Sequence, residues 1–448
     1  MDDRDPGAQP SAAAPDAAAP DEPLVILGAG LTGLSTALHH RGAAIVVERE
    51  HRVGGKAASD RREGFTFDIT GHWLHLRQAR TRSLVHDLFA PGDLVEIERR
   101  TGVYSHGTML PYPFQANLFG LPLPVVHECL VGLFEAHRRG DPLPERASLQ
   151  QFAEHRFGAG IARHFFVPYN TKLWGVAPDR LSSAWVTRYI PVPEPAQILA
   201  GAIGMVQEGI GYNARFLYPR AGGIDHLATA MAARLVARDA SALRLGTEVG
   251  AIDSARRVVE CGGRAQRYRR LISTLPLPEL IDRIVDAPPE VREARAALQW
   301  IRWRYLNVAT RTPTPRPEHW IYVPEPQLPF FRVGSFSNAS PAMAPPGCGA
   351  LYVELTDRER APDEPAIVAA LAAMGAITSP GDVRFVEQRD IEYAYVVFDD
   401  AHAGATATIH AWLATRGIRS CGRYGAWVYS AMEDALLDGM EAAAWAEA

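Results

Sequence analysis

Cysteine is scarce in this chain: Cys129, Cys261, Cys348 and Cys421 are spread over 448 residues with no CxxC pair. That spacing argues against a zinc site and a disulfide framework, and it fits a reducing, cytoplasmic compartment. Long apolar runs are also missing, and none reaches the ~18 residues of a membrane span. Neither sign of charge is in large excess. Lys and Arg number 46 and Asp and Glu 51, for a formal net charge of -5 and a pI near 6.3, which gives no electrostatic case for nucleic acid or an anionic membrane. No internal repeat is visible. Residues 1–22 lack the basic start and apolar centre of a signal peptide; rich in Ala, Pro and Asp, they read as a disordered tail. The rest, 47% hydrophobic and 22% charged overall, is ample for two or three packed units.

The most informative stretch runs from residue 24 to 59. Leu24 to Leu27 is a short apolar run suited to a buried parallel strand, followed by Gly28-Ala29-Gly30-Leu31-Thr32-Gly33. In a GxGxxG turn the glycines supply the tight bend, the close backbone approach to a pyrophosphate and the close packing of the next helix, whose N-terminal N–H groups face the phosphates. Ile45-Val46-Val47 forms a second strand, and Glu48 closes it 20 residues after Gly28, where an acid accepts the ribose hydroxyls of an adenosine. Val53-Gly54-Gly55-Lys56-Ala57-Ala58-Ser59 then allows a second backbone approach, with Lys56 able to neutralise phosphate. This segment resembles that of amine-oxidase-type flavoenzymes, and the resemblance implies FAD over a nicotinamide cofactor. Gly28, Gly30, Gly33, Glu48, Gly54, Gly55 and Lys56 are the cofactor-binding candidates.

The texture changes further along. Thr66 to Leu76 is extended and ends in a histidine-rich turn, and helical patterns fill about Pro111 to Gly211. A helix is expected over 222–238. Strand-like alternation follows at 243–249, 257–261, 271–275, 302–309, 318–323, 330–336 and 350–355, before a C-terminal helix from about Ala431 to Trp445. This order predicts an α/β protein: a discontinuous Rossmann-type FAD-binding domain (23–100, 215–290 and 390–448) with a mainly helical insertion (101–214) and an antiparallel β-sheet substrate domain (291–389).

Several of these segments resemble the UDP-galactopyranose mutases, over nearly the whole chain beyond the tail. Gly71-His72-Trp73-Leu74-His75 resembles that family's histidine loop, and Leu110-Pro111-Tyr112-Pro113-Phe114-Gln115-Ala116-Asn117 its proline-phenylalanine-asparagine strand, with Gln115 where Asn is usual. Tyr169-Asn170-Thr171-Lys172-Leu173-Trp174-Gly175, with Arg188 downstream, is similar to its nucleotide-sugar cleft. Trp303-Arg304-Tyr305, Phe331-Arg332-Val333, Tyr393-Ala394-Tyr395 and Gly422-Arg423-Tyr424-Gly425 through Tyr429 complete the likeness. The resemblance implies Gln115, Tyr169, Trp174, Arg188, Arg304, Arg332, Tyr395 and Tyr429 as substrate-binding residues. It implies His72 and Arg423 beside the flavin, and His72, Arg188 and Arg332 as the residues aiding catalysis. The implied activity interconverts pyranose and furanose forms of a nucleotide sugar, with N5 of reduced FAD as nucleophile at the anomeric carbon.

The chemistry can also be weighed without the family. A sugar diphosphate entering a partly dry cleft needs fixed cations and hydroxyl donors, and Arg188, Arg304 and Arg332 with Tyr169, Tyr395 and Tyr429 would provide them. Each arginine could equally serve a structural ion pair, and Trp174 could equally be core. His72 and His75 have no Cys, Asp or Glu cluster that would make a metal site; His75 reads as structural. Two departures, Ser273-Thr274-Leu275-Pro276-Leu277-Pro278 and Ala431, look unlike typical mutases, and the first resembles protoporphyrinogen oxidase relatives. The alternatives are therefore an FAD oxidase or dehydrogenase of the amine or protoporphyrinogen oxidase type, and a non-catalytic flavoprotein scaffold. The expected partners are a nucleotide sugar and a flavin reductant such as NAD(P)H, with a homodimer as the default for a soluble enzyme.

Overall fold

The computed structural model describes residues 22–186, 190–207, 214–356 and 363–448. The expected tail, apart from Glu22, and Arg188 lie outside the described residues.

Leu24–Leu27 (β1) is buried at every position and lies at the centre of a five-stranded sheet. The order is Ile418–Ser420, Arg270–Ser273, β1, Ala44–Val47 (β2) and Leu243–Arg244, with every neighbouring pair parallel. The strands come from separated parts of the chain, so the domain they build is discontinuous. A parallel sheet covered on both faces needs apolar residues in unbroken runs, and this one has them. Leu24, Ile26 and Val46 join the core beneath Leu31–His39 (α1) and the C-terminal helix Met432–Glu447, while Val25, Leu27 and Val47 join the opposite core with Leu280, Ile409 and Leu413. The Ser35 hydroxyl donates to the Leu436 carbonyl at 2.7 Å, and this close approach of α1 to the last helix is allowed by Gly439, where a Cβ would lie 2.4 Å from that of Ser35.

The second layer is a seven-stranded sheet ordered Val383–Val396, Trp300–Thr310, Gly349–Leu355, Arg332–Ser335, Trp320–Tyr322, Thr101–Ser105 and Thr108–Pro111. All pairings are antiparallel except Trp320–Tyr322 with Thr101–Ser105. The expected boundaries at 101 and 389 therefore do not follow the sheet. The hairpin 101–111 joins strands some 200 residues away, and Val383–Val396 runs past residue 389. Pairing at that distance leaves no mark on local periodicity, which is why the hairpin reads from sequence as part of the helical insertion.

The helical part comprises Leu123–Arg139, Leu149–Ile161, a π-helical turn Ala162–Phe166, Val167–Trp174 and Pro195–Ala202. A capping box at Ser148 and Gln151 starts the second of these. Its core is aromatic, with Phe114, Phe152, Phe157, Phe165, Phe166 and Trp174 all buried. No helix among the described residues is long and apolar enough to cross a membrane.

Candidate functional site

A cavity of about 740 Å³ opens between the parallel sheet and the seven-stranded sheet. Its two ends are built differently.

At one end the backbone forms the wall. Gly28 bends at φ +101°, and a Cβ there would lie 2.3 Å from Thr274 Oγ1; a Cβ on Gly33 would lie 2.0 Å from the Gly28 carbonyl oxygen. Gly30, between them, meets nothing within 4 Å. It caps α1 without a side-chain hydrogen bond, so the first N–H groups of the helix are left for a ligand in the cavity. Gly30 and Gly54 form a parallel bridge, which brings the second glycine pair to the first. Glu48 Oε2 accepts from Ala29 N at 2.8 Å and Oε1 from Glu50 N at 2.9 Å, and each oxygen retains a lone pair for a ribose hydroxyl. Lys56 lines the same end, its pKa lowered mainly by burial and next by Arg49. This cradle, open where a Cβ would fill it, fits the adenosine diphosphate of FAD.

At the other end side chains form the wall. His72 lines the cavity, its Nδ1 is buried without a hydrogen-bond partner, and burial pushes its pKa down to about 4, so the ring is neutral at pH 7. Arg423 lies against Tyr395 and Tyr429, its guanidinium carbon 4.7 and 4.9 Å from the two ring centroids. Its Nη1 donates to the Ser430 carbonyl at 2.6 Å, and no carboxylate pairs with it among the described residues. Arg332 also lines the cavity but is committed to Glu354, its cross-strand partner: Nη2 donates to Oε1 at 2.8 Å and Nε to Oε2. Glu354 is completely buried, so the pair places one neutralised guanidinium in the floor of the site.

The structure thus brings Gly28, Gly30, Glu48, Gly54, Gly55, Lys56, His72, Arg332, Tyr395, Arg423 and Tyr429 to one cavity. Gly33 stands behind the turn. Four other expected site residues do not reach the cavity wall. Gln115 is buried and donates from Nε2 to the Pro191 carbonyl at 2.8 Å. Tyr169 stacks on Phe165 and sets its edge against Tyr322, which is itself in the wall. Trp174 is fully buried, donates to Asn170 Oδ1 at 3.2 Å and packs edge-on to Tyr395. Arg304 turns to Asp390, with Nε 2.9 Å from Oδ1. For Gln115, Trp174 and Arg304 a nearer partner takes the polar group before the cavity can, whereas Tyr169 is held by its ring contacts. His75 also lines the cavity, and its Nδ1 donates to the Arg215 carbonyl, 2.9 Å away.

Sequence reasoning missed Glu354 and Tyr322. Glu354 left a signal: an acid inside Gly349-Ala350-Leu351-Tyr352-Val353-Glu354-Leu355, a run buried at every position, implies a buried cation opposite. Tyr322 left none. Among the described residues no three His, Cys, Asp or Glu side chains converge to hold a metal.

Comparison with known proteins now decides the family. The model of the flavin-containing amine oxidoreductases matches residues 31–445. The chain belongs to this family. FAD is accordingly its cofactor. The chain resembles the crystal structure of reduced UDP-galactopyranose mutase with a TM-score of 0.86 and 26% identity, over 94% of each chain. It resembles a candidate protoporphyrinogen oxidase from Exiguobacterium sp. 255-15 with a TM-score of 0.74 and 17% identity, over 95% of this chain and 99% of the other. Coproporphyrinogen III oxidase of Propionibacterium freudenreichii subsp. freudenreichii is 30% identical over 178 residues, 36% of this chain. The match spans only 33% of that curated relative's length.

Proposed function

We propose that this flavoenzyme is a nucleotide-sugar mutase that interconverts pyranose and furanose rings. The observation that carries the reading is the likeness to reduced UDP-galactopyranose mutase, a TM-score of 0.86 over 94% of both chains. Reduced FAD, held by the glycine cradle, Glu48 and Lys56, would supply the nucleophile for the anomeric carbon. The chain's own side chains bind and orient. Arg423, a cation held by tyrosine rings with no carboxylate beside it among the described residues, is assigned to the flavin, and Arg188 to the sugar diphosphate. Arg332, already neutralised by Glu354, offers its remaining N–H as an oriented donor more than as a charge. Tyr395 and Tyr429 face the sugar side with their hydroxyls, and neutral His72 offers one ring nitrogen to a flavin polar atom. A nucleotide sugar is the partner, with NAD(P)H as the reductant class.

A second reading, an FAD oxidase acting on a porphyrinogen-like substrate, is favoured by one observation. Arg304 and Arg332 both carry carboxylate partners, which leaves fewer uncompensated cations for a diphosphate. The test offers UDP- and dTDP-linked hexoses to dithionite-reduced enzyme without oxygen, and coproporphyrinogen III to oxidised enzyme. A product of unchanged mass and altered retention, formed only by reduced enzyme, is expected. No isomer from reduced enzyme, with bleaching of the oxidised flavin by the porphyrinogen, overturns the mutase reading in favour of the oxidase.

A further inference from the structure

Arg423 and Tyr429 reach the cavity from a segment whose backbone is at odds with one of its side chains. Gly422–Gly425 is a single helical turn that ends in Schellman form, the Val428 amide donating to the Arg423 carbonyl at 3.0 Å. The residue that turns the chain out of such a helix is usually glycine, because it must take the left-handed conformation. Here it is Trp427, at φ +59°, a backbone state that a bulky side chain disfavours. Trp427 is fully buried, and its Nε1 has no hydrogen-bond partner among the described residues. The indole is therefore kept for its bulk. It packs edge-on at 6.1 Å against both Trp300 and Tyr393, and Tyr393 lines the cavity.

Two histidines hold this turn from behind. Both stand on the helix His402–Thr415: His402 Nε2 donates to the Trp427 carbonyl at 2.9 Å, and His410 Nε2 to the Ala426 carbonyl at 3.4 Å. The His402 ring also packs on Phe398 at 4.6 Å, Phe398 stacks on Trp185 at 5.8 Å, and Trp185 meets Tyr429 at 5.5 Å. On the cavity side Arg423 Nη1 closes the segment on the Ser430 carbonyl. A disfavoured backbone state persists only where its neighbours over-determine it, and such places gather at functional sites.

We propose that Trp427, His402 and His410 are positioning residues: a clamp behind the cavity wall that fixes the direction of Arg423 toward the flavin. None of the three lines the cavity, so each acts through the segment it holds. A cation stabilises developing negative charge best when it need not reorganise as the charge appears. Reduction adds negative charge to the flavin, and a guanidinium already fixed by the turn meets it at no further cost in order. The inference takes from the proposed function only the assignment of Arg423 to the flavin, and it holds for a mutase and an oxidase alike.

The experiment measures the two-electron reduction potential of the bound flavin by anaerobic dye equilibration on the full FAD-loaded chain. His402 is only half-buried, so its variants should fold. Loss of one hydrogen bond is worth a factor of ~3–10. His402→Ala should weaken the hold on reduced relative to oxidised flavin by that factor, which lowers the potential by ~14–30 mV. His402→Gln, whose Nε2 can donate to the same carbonyl, should restore it. Trp427→Phe keeps the bulk, drops the orphaned donor and should leave the potential at the wild-type value. Arg423→Gln is the reference and should lower the potential at least as far as His402→Ala. A wild-type potential in His402→Ala beside a lowered one in Arg423→Gln overturns the clamp and leaves the assignment of Arg423 standing. A wild-type potential in both overturns the assignment and the clamp with it. A His402→Gln protein as low as His402→Ala, or a fall in Trp427→Phe, also overturns the clamp.

Discussion

The two ends of the cavity recognise their ligands by different means. At the cofactor end contiguous sequence does the work: β1, the glycine turn, α1 and β2 lie within residues 24–47, and glycine backbone forms the contact surface, with the Glu48 and Lys56 side chains beside it. At the substrate end the contact surface is side chains, and His72, Tyr322, Arg332, Tyr395 and Arg423 come from elements scattered over some 350 residues. Backbone recognition tolerates no Cβ, so it is rigid in sequence. Side-chain recognition can be respecified strand by strand without disturbing the fold, which is how one scaffold accommodates relatives that are mutases and oxidases.

The sharpest way to break the comparison is a methyl group at the cofactor end. Gly33→Ala should displace the turn, because its Cβ has only 2.0 Å to the Gly28 carbonyl oxygen. The purified protein should lack FAD and be destabilised. Gly30→Ala should separate the two effects. Nothing lies within 4 Å of its Cβ and its φ is an ordinary -71°, so the apoprotein should keep its stability while FAD affinity falls ~10–100-fold, about 1.4–2.7 kcal/mol. Flavin absorbance per chain and calorimetric melting check both. A Gly30→Ala enzyme that binds FAD as tightly as wild type would mean the cofactor does not lie against that backbone.

Next in size is the buried pair at the substrate end. Glu354→Gln leaves Arg332 charged and without its carboxylate partner, and should cost ~3–5 kcal/mol of stability. Combining it with Arg332→Met should recover most of that loss, because both charges are then gone. Chemical denaturation of the four proteins reads the coupling. If the double variant loses the sum of what the two single variants lose, the pair is not acting as a unit.

A smaller effect comes from protons. Burial is the chief cause that pushes His72, His75 and His319 each down to about 4 from an ordinary 6.5. Between those values the unfolded chain binds protons that the folded chain refuses, so their contribution to stability rises with pH and is complete above 6.5. Asp68 opposes them. Burial raises it from 3.8 to about 7, against hydrogen bonds from Tyr218, Ser59 and Ile224, so its contribution falls as pH rises across that range. Three groups outweigh one, and stability should climb from pH 4.5 to 6.5. Asp68→Asn should steepen the climb, as urea midpoints across the range would record. A flat profile in both proteins would remove the titrating histidines from the account.

How much of this was legible follows from the same contrast. The cofactor end could be read because its signal is local: glycines at fixed offsets between an apolar run and an acid. The arginines and tyrosines of the substrate end could be named by resemblance, but their partners could not. That Arg332 faces Glu354 is a matter of strand register, and that Arg304 turns to Asp390 is a matter of which strand lies at the sheet's edge. Neither leaves a trace within a window of a dozen residues. The hairpin 101–111 escaped for the same reason.

Trp174 gives the finest test of that limit, because resemblance makes it a ligand contact and packing makes it core. It is fully buried, its Nε1 donates to Asn170 Oδ1, and its ring meets Trp185 and Tyr395 edge-on at 5.1 and 5.2 Å. Trp174→Phe removes one buried hydrogen bond and part of an indole, and should lower stability by ~1–3 kcal/mol. Because Tyr395 stands between it and the cavity, KM for the substrate should change less than twofold and kcat only slightly. A KM raised tenfold with stability unchanged would show that the substrate reaches past Tyr395 to the indole, and the wall of the site would then move one side chain deeper into the helical part.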